Sequence, residues 1–267
     1  MNHYDIVYSV TAHESVDCLW DLYFNIRKFH KQSGLRVLVI FHCSPALHKE
    51  AKAMAPDNTS NPLFHPNPSV KARFTASLFL AHLENFRYLQ EQGIEFDYFS
   101  TLASNCLFVR PYETVIPAPL NVTPTKYSLG DEDKWQAEEF KKNPKLVEVF
   151  KKHEIAVACT IHEGAYFTKD VFGFIVDFCK ENGIDRDAFE HDTLAAEEVI
   201  LSSLEKYATG VLGKRKGVWI PGITLSDVKS ISETGGCRST GDGIFNIVKI
   251  PRSMNDEKRK YINSIEV

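Results

Sequence analysis

The chain has 267 residues, of which 43% are hydrophobic, 12% are aromatic and 25% are charged, and its formal net charge is −4. This composition is typical of a folded domain and excludes a disordered chain. A pI of about 6.2 also excludes a global basic field that would attract nucleic acid or an anionic membrane. We therefore expect one globular domain over residues 1–267.

The first half of the chain predicts a β-α-β opening. Residues 4–10 are rich in β-branched and aromatic side chains, and apolar residues follow at helical spacing over 15–31. The run at 36–41, which is continuously apolar after Arg36, is typical of a strand that is buried on both faces of a parallel sheet. Beyond a loop rich in Pro, Asn and Ser, we expect a helix over 70–92 and a third buried strand over 96–102.

The second half begins with an excursion over 117–145 that is first proline-rich and then charged. The elements predicted after it are strands at 155–161 and 164–167, helices at 169–182 and about 194–208, and strands at 217–223 and 244–250. Alternating strands and helices predict an α/β fold with a mostly parallel central sheet flanked by helices. Ligands of such sheets bind at the carboxyl ends of the strands.

The start of the chain has no basic, apolar leader, and no run of about 20 apolar residues occurs. We therefore expect a cytoplasmic protein without a transmembrane anchor. The cysteines are dispersed and include no Cys-x-x-Cys pair, which argues against zinc ribbons and redox motifs and favours reduced, buried thiols. They are Cys18, Cys43, Cys106, Cys159, Cys179 and Cys237.

Three predicted strands turn polar where they end. The residues are Thr11, Ala12 and His13 after the first strand, His42 and Ser44 after the second, and Ser104 and Asn105 after the third. Hydroxyl, amide and imidazole groups suit hydrogen bonds to a base and a ribose, whereas turn capping and structural histidines are the simpler alternative. Neither a P-loop nor a G-x-G-x-x-G motif occurs, which argues against ATPases and dehydrogenases.

Five ordered segments carry a family resemblance. They are residues 8–13 (YSVTAH), 40–44 (IFHCS), 96–110 (FDYFSTLASNCLFVR), 163–175 (EGAYFTKDVFGFI) and 194–204 (LAAEEVILSSL). Together they resemble the core-2/I-branching family of glycosyltransferases, which also contains the peptide xylosyltransferases. Ser44 and Asn105 stand where that family has Asp. The resemblance implies a GT-A-like fold, with nucleotide binding in residues 1–116 and acceptor binding and catalysis in 117–267.

The resemblance also implies an inverting transferase that needs a carboxylate base. The register of residues 194–204 places Glu198 in that role, with Glu197 second. Helical spacing instead puts Glu197 on the apolar face, and either glutamate can simply complement the helix dipole. Without an Asp-x-Asp metal motif at a strand end, the departing diphosphate needs cations. For these cations, the resemblance implies Lys249 as the first choice, followed by Arg252 and Arg238.

The implied partners are a UDP-sugar donor and an oligosaccharide or glycoprotein acceptor, with no metal cofactor. UDP-xylose is favoured and UDP-N-acetylglucosamine is the alternative. Trp135 and Tyr166 are candidates to stack on acceptor sugars, although Tyr166 equally suits the core. Two other functions remain open. One is a transferase that uses Mn²⁺ or Mg²⁺, with Asp131 and Asp133 or Asp242 as ligands, and the other is a nucleotide-sugar-binding module without catalysis.

Overall fold

The computed structural model describes residues 3–55, 62–71, 75–111, 135–159, 162–189, 195–209, 214–215, 224–234 and 247–267. Its elements, in chain order, are β1 (His3–Ala12), α1 (Val16–His30), β2 (Val37–Cys43), α2 (Pro45–Ala53), β3 (Leu63–Phe64), α3 (Ser77–Glu91), β4 (Glu95–Ala103), β5 (Cys106–Phe108), α4 (Trp135–Lys141), α5 (Pro144–Lys152), β6 (Ala165–Thr168), α6 (Lys169–Glu181), a 3-10 turn (Arg186–Phe189), α7 (Ala196–Thr209), β7 (Lys214–Arg215), α8 (Leu225–Thr234), β8 (Ile247–Lys249) and α9 (Glu257–Ser264).

The main sheet has the strand order β3-β2-β1-β4-β6-β7. The first four strands are parallel to one another, β6 is antiparallel to β4, and β7 is antiparallel to β6. The predicted α/β fold with a mostly parallel, helix-flanked sheet is therefore confirmed. A second sheet pairs β5 with β8 in antiparallel fashion.

Local sequence explains how the helices begin and end. The hydroxyl of Ser15 accepts from Cys18 N at 3.2 Å and caps α1, and a proline at the first position of α2 supplies a preset φ. Gly34 and Gly93 follow α1 and α3 with φ of +71° and +63°, where a side chain would be strained. These features confirm the predicted helix ends.

Two predicted boundaries were wrong. The helix expected from residue 70 begins at Ser77, because Val70 N donates to Cys43 O and continues the contacts of the β2 edge. No strand element forms over 155–159; Ile155 and Val157 pack into the core there without an extended partner ladder. The predicted strand at 217–223 lies outside the described residues.

Helices cover both faces of the sheet. The α1 face buries apolar side chains of β1 and β2 such as Tyr8 and Phe41, and the α3 face packs Phe86 and Phe99 against α6 and α7. Strand β1 lies between β2 and β4, so the chain leaves β1 on one side and returns on the other. The carboxyl ends of β1 and β4 therefore border a topological switch crevice, where such folds bind ligands. None of the described helices has the length and apolarity needed to cross a membrane.

Candidate active site

Two distant segments meet the carboxyl end of β4. Because β6 runs antiparallel to β4, its beginning lies at this edge: Gly164 N donates to Thr101 O, and Thr101 Oγ1 donates to His162 O, each at 2.8 Å. Strand β8 is held there by Asn105, whose Nδ2 donates to Ile250 O at 2.8 Å. These contacts bring residues 162–163 and Lys249 to one place.

We call His162, Glu163, Glu197, Glu198 and Lys249 the acid–cation cluster. At its centre, Lys249 Nζ donates to Glu163 Oε1. Glu163 is 4% exposed, whereas the Lys249 side chain is 25% exposed. Burial alone would raise the pKa of Glu163, but His162 and Lys249 outweigh it and lower that pKa to about 2. Burial likewise opposes the charge of Lys249, and the Glu163 carboxylate outweighs it, so the pKa of Lys249 is raised.

Glu197 enters the cluster from the first turn of α7. It is 4% exposed, and its Oε1 lies 4.0 Å from His162 Nε2, which is 3.6 Å from Glu163 Oε1. Burial first, and then the charges of Glu198 and Glu163, raise the pKa of Glu197 well above its usual value. Its Oε2 is buried and has no hydrogen-bond partner among the described residues. This carboxyl group is therefore held toward its neutral form.

Glu198 differs from its neighbour in exposure and partner. It is partly exposed, and Gln136 of α4 donates to its Oε2 at 2.9 Å. Burial raises the pKa of Glu198, while the Gln136 hydrogen bond acts in the opposite direction. Helix α7 is anchored behind it, because Ala158 N donates to Ser203 Oγ at 2.9 Å. Glu198 is thus a carboxylate of raised basicity that solvent and ligands can reach.

The ends of β1 and β4 lie next to each other. Ser104 N donates to Thr11 O at 3.1 Å, and the side chains of Thr11 and Ser104 are almost fully buried, as is Ala12. Ser104 Oγ and Asn105 Oδ1 are buried and lack hydrogen-bond partners among the described residues. Buried polar atoms rarely stay unsatisfied, so these two are candidates to contact a ligand at the crevice.

His13 and Arg252 are linked through a residue that the sequence analysis did not single out. Glu14 Oε1 is 2.9 Å from His13 Nε2, and Glu14 Oε2 is 3.0 Å from Arg252 Nε. The Arg252 side chain is 24% exposed. This pairing places a guanidinium beside the end of β1.

Three predicted roles need correction. His42 is fully buried, with Nδ1 3.2 Å from Asn85 Oδ1 and Nε2 2.8 Å from Ser69 Oγ, so it does not line the crevice. Burial, reinforced by His65, lowers the pKa of His42 to about 3. Ser44 caps α2 by accepting from Leu47 N at 3.4 Å.

The third correction concerns Tyr166. Its ring is 1% exposed and packs in the core on the α1 face, and its hydroxyl lies 2.8 Å from that of Tyr8. A buried ring cannot stack on an acceptor sugar, so the core alternative is the right one. Several other candidates lie outside the described residues. They are Arg238, Asp131, Asp133, Asp242 and the side chain of Trp135.

The sequence patterns did not indicate His162, Glu163 and Gln136 as site residues. A signal for Glu163 existed, because a charged residue directly before a buried glycine-small-aromatic strand is unusual and lies in one of the resembling segments. Gln136 has no comparable signal, since an amide in a charged helix is commonly exposed. Its role follows only from the packing of α4 on α7.

The fold and the cluster define an α/β protein with buried carboxylates and a lysine at the carboxyl edge of a parallel sheet. No family model matches the chain, and no curated protein matches its sequence. A solved structure of an active-site mutant of LgtC aligns over 97% of this chain and 94% of its own length, with 10% sequence identity and a TM-score of 0.41. At that level of similarity, neither a family nor an activity follows for this chain.

Proposed function

We propose that this protein transfers a sugar from a UDP-sugar to a hydroxyl group of an oligosaccharide or glycoprotein, with inversion at the anomeric carbon. The observation that carries the proposal is the convergence of Glu198 with Lys249 at the edge that also bears the switch crevice. Glu198 follows Glu197 at the start of α7, and contacts from Glu197 through His162 and Glu163 connect this helix start to Lys249. An inverting transfer requires this combination of a base and a cation.

Glu198 is the proposed general base. It takes the proton of the acceptor hydroxyl while that oxygen forms a bond to the anomeric carbon and the bond to the diphosphate breaks. Partial exposure lets an acceptor reach it, and its raised pKa makes it a better proton acceptor than an exposed glutamate. Glu197 is the second candidate, but its burial leaves less room for direct contact.

Lys249 is the proposed partner of the leaving diphosphate. Its ion pair with Glu163 holds the ammonium group in place before a donor binds, and a quarter of its side chain stays accessible. A preorganised cation of this kind stabilises charge that develops in the transition state. Arg252 and Arg238 are proposed as further cations, so that the reaction proceeds without Mn²⁺ or Mg²⁺.

The donor is proposed to bind at the ends of β1 and β4. The contacts would come from main-chain groups of Thr11 and Ala12, from His13, and from the unpartnered Ser104 Oγ and Asn105 Oδ1. UDP-xylose is our first donor and UDP-N-acetylglucosamine the second. Trp135 is the remaining proposed contact for the acceptor.

A panel of UDP-sugars tests the proposal. A bound donor at one hundred times its dissociation constant should add about 2.7 kcal/mol to the free energy of unfolding, which a thermal shift detects. The stabilising sugars are then offered with oligosaccharide acceptors, with and without excess EDTA. Transfer that persists in EDTA supports the metal-free reaction, and activity that EDTA abolishes and Mn²⁺ restores contradicts it. Donor binding with no transfer to any acceptor would indicate the binding module instead.

A further inference from the structure

A second polar cluster lies on the β2–β3 side of the sheet, whereas the acid–cation cluster lies on the β4–β6 side. We call His42, His65 and Glu84 the histidine cluster. One possible ligand atom from each residue lies within 4.8 Å of the other two, and His42 Nε2 is 3.4 Å from Glu84 Oε2. The backbone fixes this grouping, because His65 N donates to Phe41 O at 2.8 Å.

Hydrogen bonds orient both imidazole rings. His42 Nδ1 faces Asn85 Oδ1 at 3.2 Å, and that amide is held because Asn85 Nδ2 donates to Ser9 Oγ at 2.8 Å. Asn85 Oδ1 only accepts, so this contact favours the tautomer with the proton on His42 Nδ1, which leaves Nε2 to bind a metal once Ser69 Oγ moves aside. His65 Nδ1 lies 3.2 Å from Asn67 O and 3.3 Å from Asn67 N, which donates to it, so both groups of Asn67 position this ring. An oxygen behind the ring, as Asn85 provides for His42, is the usual outer support of a metal-binding histidine.

The spacing of the lone-pair atoms suits a small cation. A tetrahedral zinc ion with bonds of about 2.0–2.2 Å separates its ligand atoms by roughly 3.3 Å, close to the His42–Glu84 distance. Ser69 Oγ now bridges the two, at 2.8 Å from His42 Nε2 and 3.0 Å from Glu84 Oε2. The His65 ring stacks on His42 with centroids 4.3 Å apart and must turn out of this stack to bind the ion.

The cluster borders a cavity of about 410 Å³. His65, Ser69 and Glu84 line it together with Arg87 and Arg186. A cation bound by three protein groups would therefore keep an open coordination position toward this space, which water or an anionic ligand can fill.

A competing cluster on the surface is less suited to a metal. His3, Asp5 and Asp97 also offer three ligand atoms within 4.8 Å of one another. Both ring nitrogens of His3 already face charged partners, with Nε2 3.0 Å from Asp97 Oδ1 and Nδ1 2.8 Å from Arg36 Nη2. A metal there would have to displace the partners of both ring nitrogens of His3. At the histidine cluster, Arg186 Nη2 also lies 3.6 Å from Glu84 Oε1, but the other carboxylate oxygen, Oε2, faces His42.

We propose that His42, His65 and Glu84 form a Zn²⁺ site with an open position toward the cavity. Two imidazoles and one carboxylate favour zinc, whereas Mg²⁺ and Ca²⁺ prefer sites made only of oxygen ligands. The site is separate from the acid–cation cluster, and the inference does not depend on the proposed glycosyl transfer.

Titration of metal-free protein with zinc chloride, in competition with a chromophoric chelator, tests the site. We expect one equivalent to bind tightly. His65→Ala and Glu84→Gln should each weaken the affinity at least as much as loss of an outer-shell partner does, which is about 10–100-fold. His3→Ala, which disrupts the surface cluster, is the matched control and should leave the affinity unchanged.

Cobalt provides a second readout. Co²⁺ bound at the site should give a visible absorption band that zinc removes and that Glu84→Gln alters. Circular dichroism checks the fold of each variant; if His65→Ala unfolds, the isosteric Glu84→Gln decides alone. Equal zinc affinity in the wild type and Glu84→Gln, loss of affinity in His3→Ala alone, or no zinc binding by the wild type would each overturn the proposal.

Discussion

The two polar clusters lie on different sides of the sheet, and each stabilises a buried titratable side chain in a different way. Glu163 and His42 are both almost fully buried, and burial penalises the charged form of each. Glu163 stays charged because His162 and Lys249 lie beside it, whereas burial, reinforced by His65, lowers the pKa of His42 and keeps it neutral. The cost of burial is therefore offset by an ion pair at Glu163, whereas at His42 it leaves a neutral imidazole.

This contrast suggests that the two clusters have separate functions. The variant with the largest expected effect, Glu198→Gln, tests this separation directly. Glu198→Gln removes the proposed base but keeps the side chain's shape and a partner for Gln136. Turnover should fall by about 10²–10⁴-fold with donor affinity retained, as steady-state kinetics and donor titration will show. Zinc affinity should not change.

Glu197→Gln is the matched neighbour for that measurement and should lower turnover much less. Equal losses in the two variants would argue that Glu198 has no special role. A normal rate in Glu198→Gln would remove it from the reaction altogether.

Breaking the ion pair tests what keeps Glu163 charged. Lys249→Met leaves a buried carboxylate without its cation and should lower the free energy of unfolding by about 3 kcal/mol at pH 7. Because the pKa of Glu163 is lowered to about 2 from 4.5, this stabilisation is present above pH 4.5 and is lost as the pH falls toward 2. Urea denaturation of the wild type and of Lys249→Met at pH 7 and pH 3 measures the difference in the free energy of unfolding at each pH.

The double variant Glu163→Gln with Lys249→Met is the control for this loss. It removes the unpaired charge and should recover most of the stability. A double variant that is as unstable as Lys249→Met would show that the lost packing of the lysine stem, not its charge, is responsible.

The contribution of Glu197 to the free energy of unfolding should depend on pH in the opposite sense to that of Glu163. The pKa of Glu197 is raised in the folded protein. Its favourable contribution to the free energy of unfolding is therefore complete below pH 4.5 and is lost as the pH rises through the pKa of the folded state. Glu197→Gln does not titrate and should be more stable than the wild type at pH 8, by about 1–3 kcal/mol, the usual cost of a buried group without a partner.

At pH 4.5 that advantage should shrink or vanish, which denaturation curves at the two pH values will show. An advantage of equal size at both pH values would mean that the carboxyl group of Glu197 is not the cause.

The smallest effect concerns the hydrogen bond from Gln136. This bond favours the charged form of Glu198, so Gln136→Ala should raise the pKa of Glu198. The acid limb of the turnover–pH profile should move to higher pH by less than about one pH unit, because one pKa unit corresponds to the free energy of about one hydrogen bond. An unchanged limb, or a shift to lower pH, would contradict the assignment of Glu198 as the titrating base.

The sheet was predictable because its signals are local. Residues 6–10 and 37–41 are buried on both faces, and glycines such as Gly34 and Gly93 mark helix ends through their positive φ. The start of α3 was not predictable, because the bond from Val70 N to Cys43 O draws the preceding segment to the sheet edge. Long-range hydrogen bonds of that kind leave no periodicity in the sequence.

The site was predictable in part. The pattern placed Thr11, Ser104 and Asn105 at strand ends, and the structure brings these ends together. The pattern also indicated that Tyr166 stacks on an acceptor sugar, whereas its aromatic ring is buried in the core. Periodicity cannot separate these two roles, since a buried strand residue and a ligand-stacking residue have the same side chain and spacing.

The sequence by itself determined the α/β fold, the polar strand ends and the presence of two adjacent glutamates at the start of a helix. Only the tertiary structure decided which glutamate is accessible, that Glu163 pairs with Lys249, and that His42 belongs with His65 and Glu84. The physical reason is that charge state and ligand geometry depend on burial and on partners far along the chain. Glu163 and Lys249 meet only when the antiparallel β6 and β8 return to the edge of the parallel sheet.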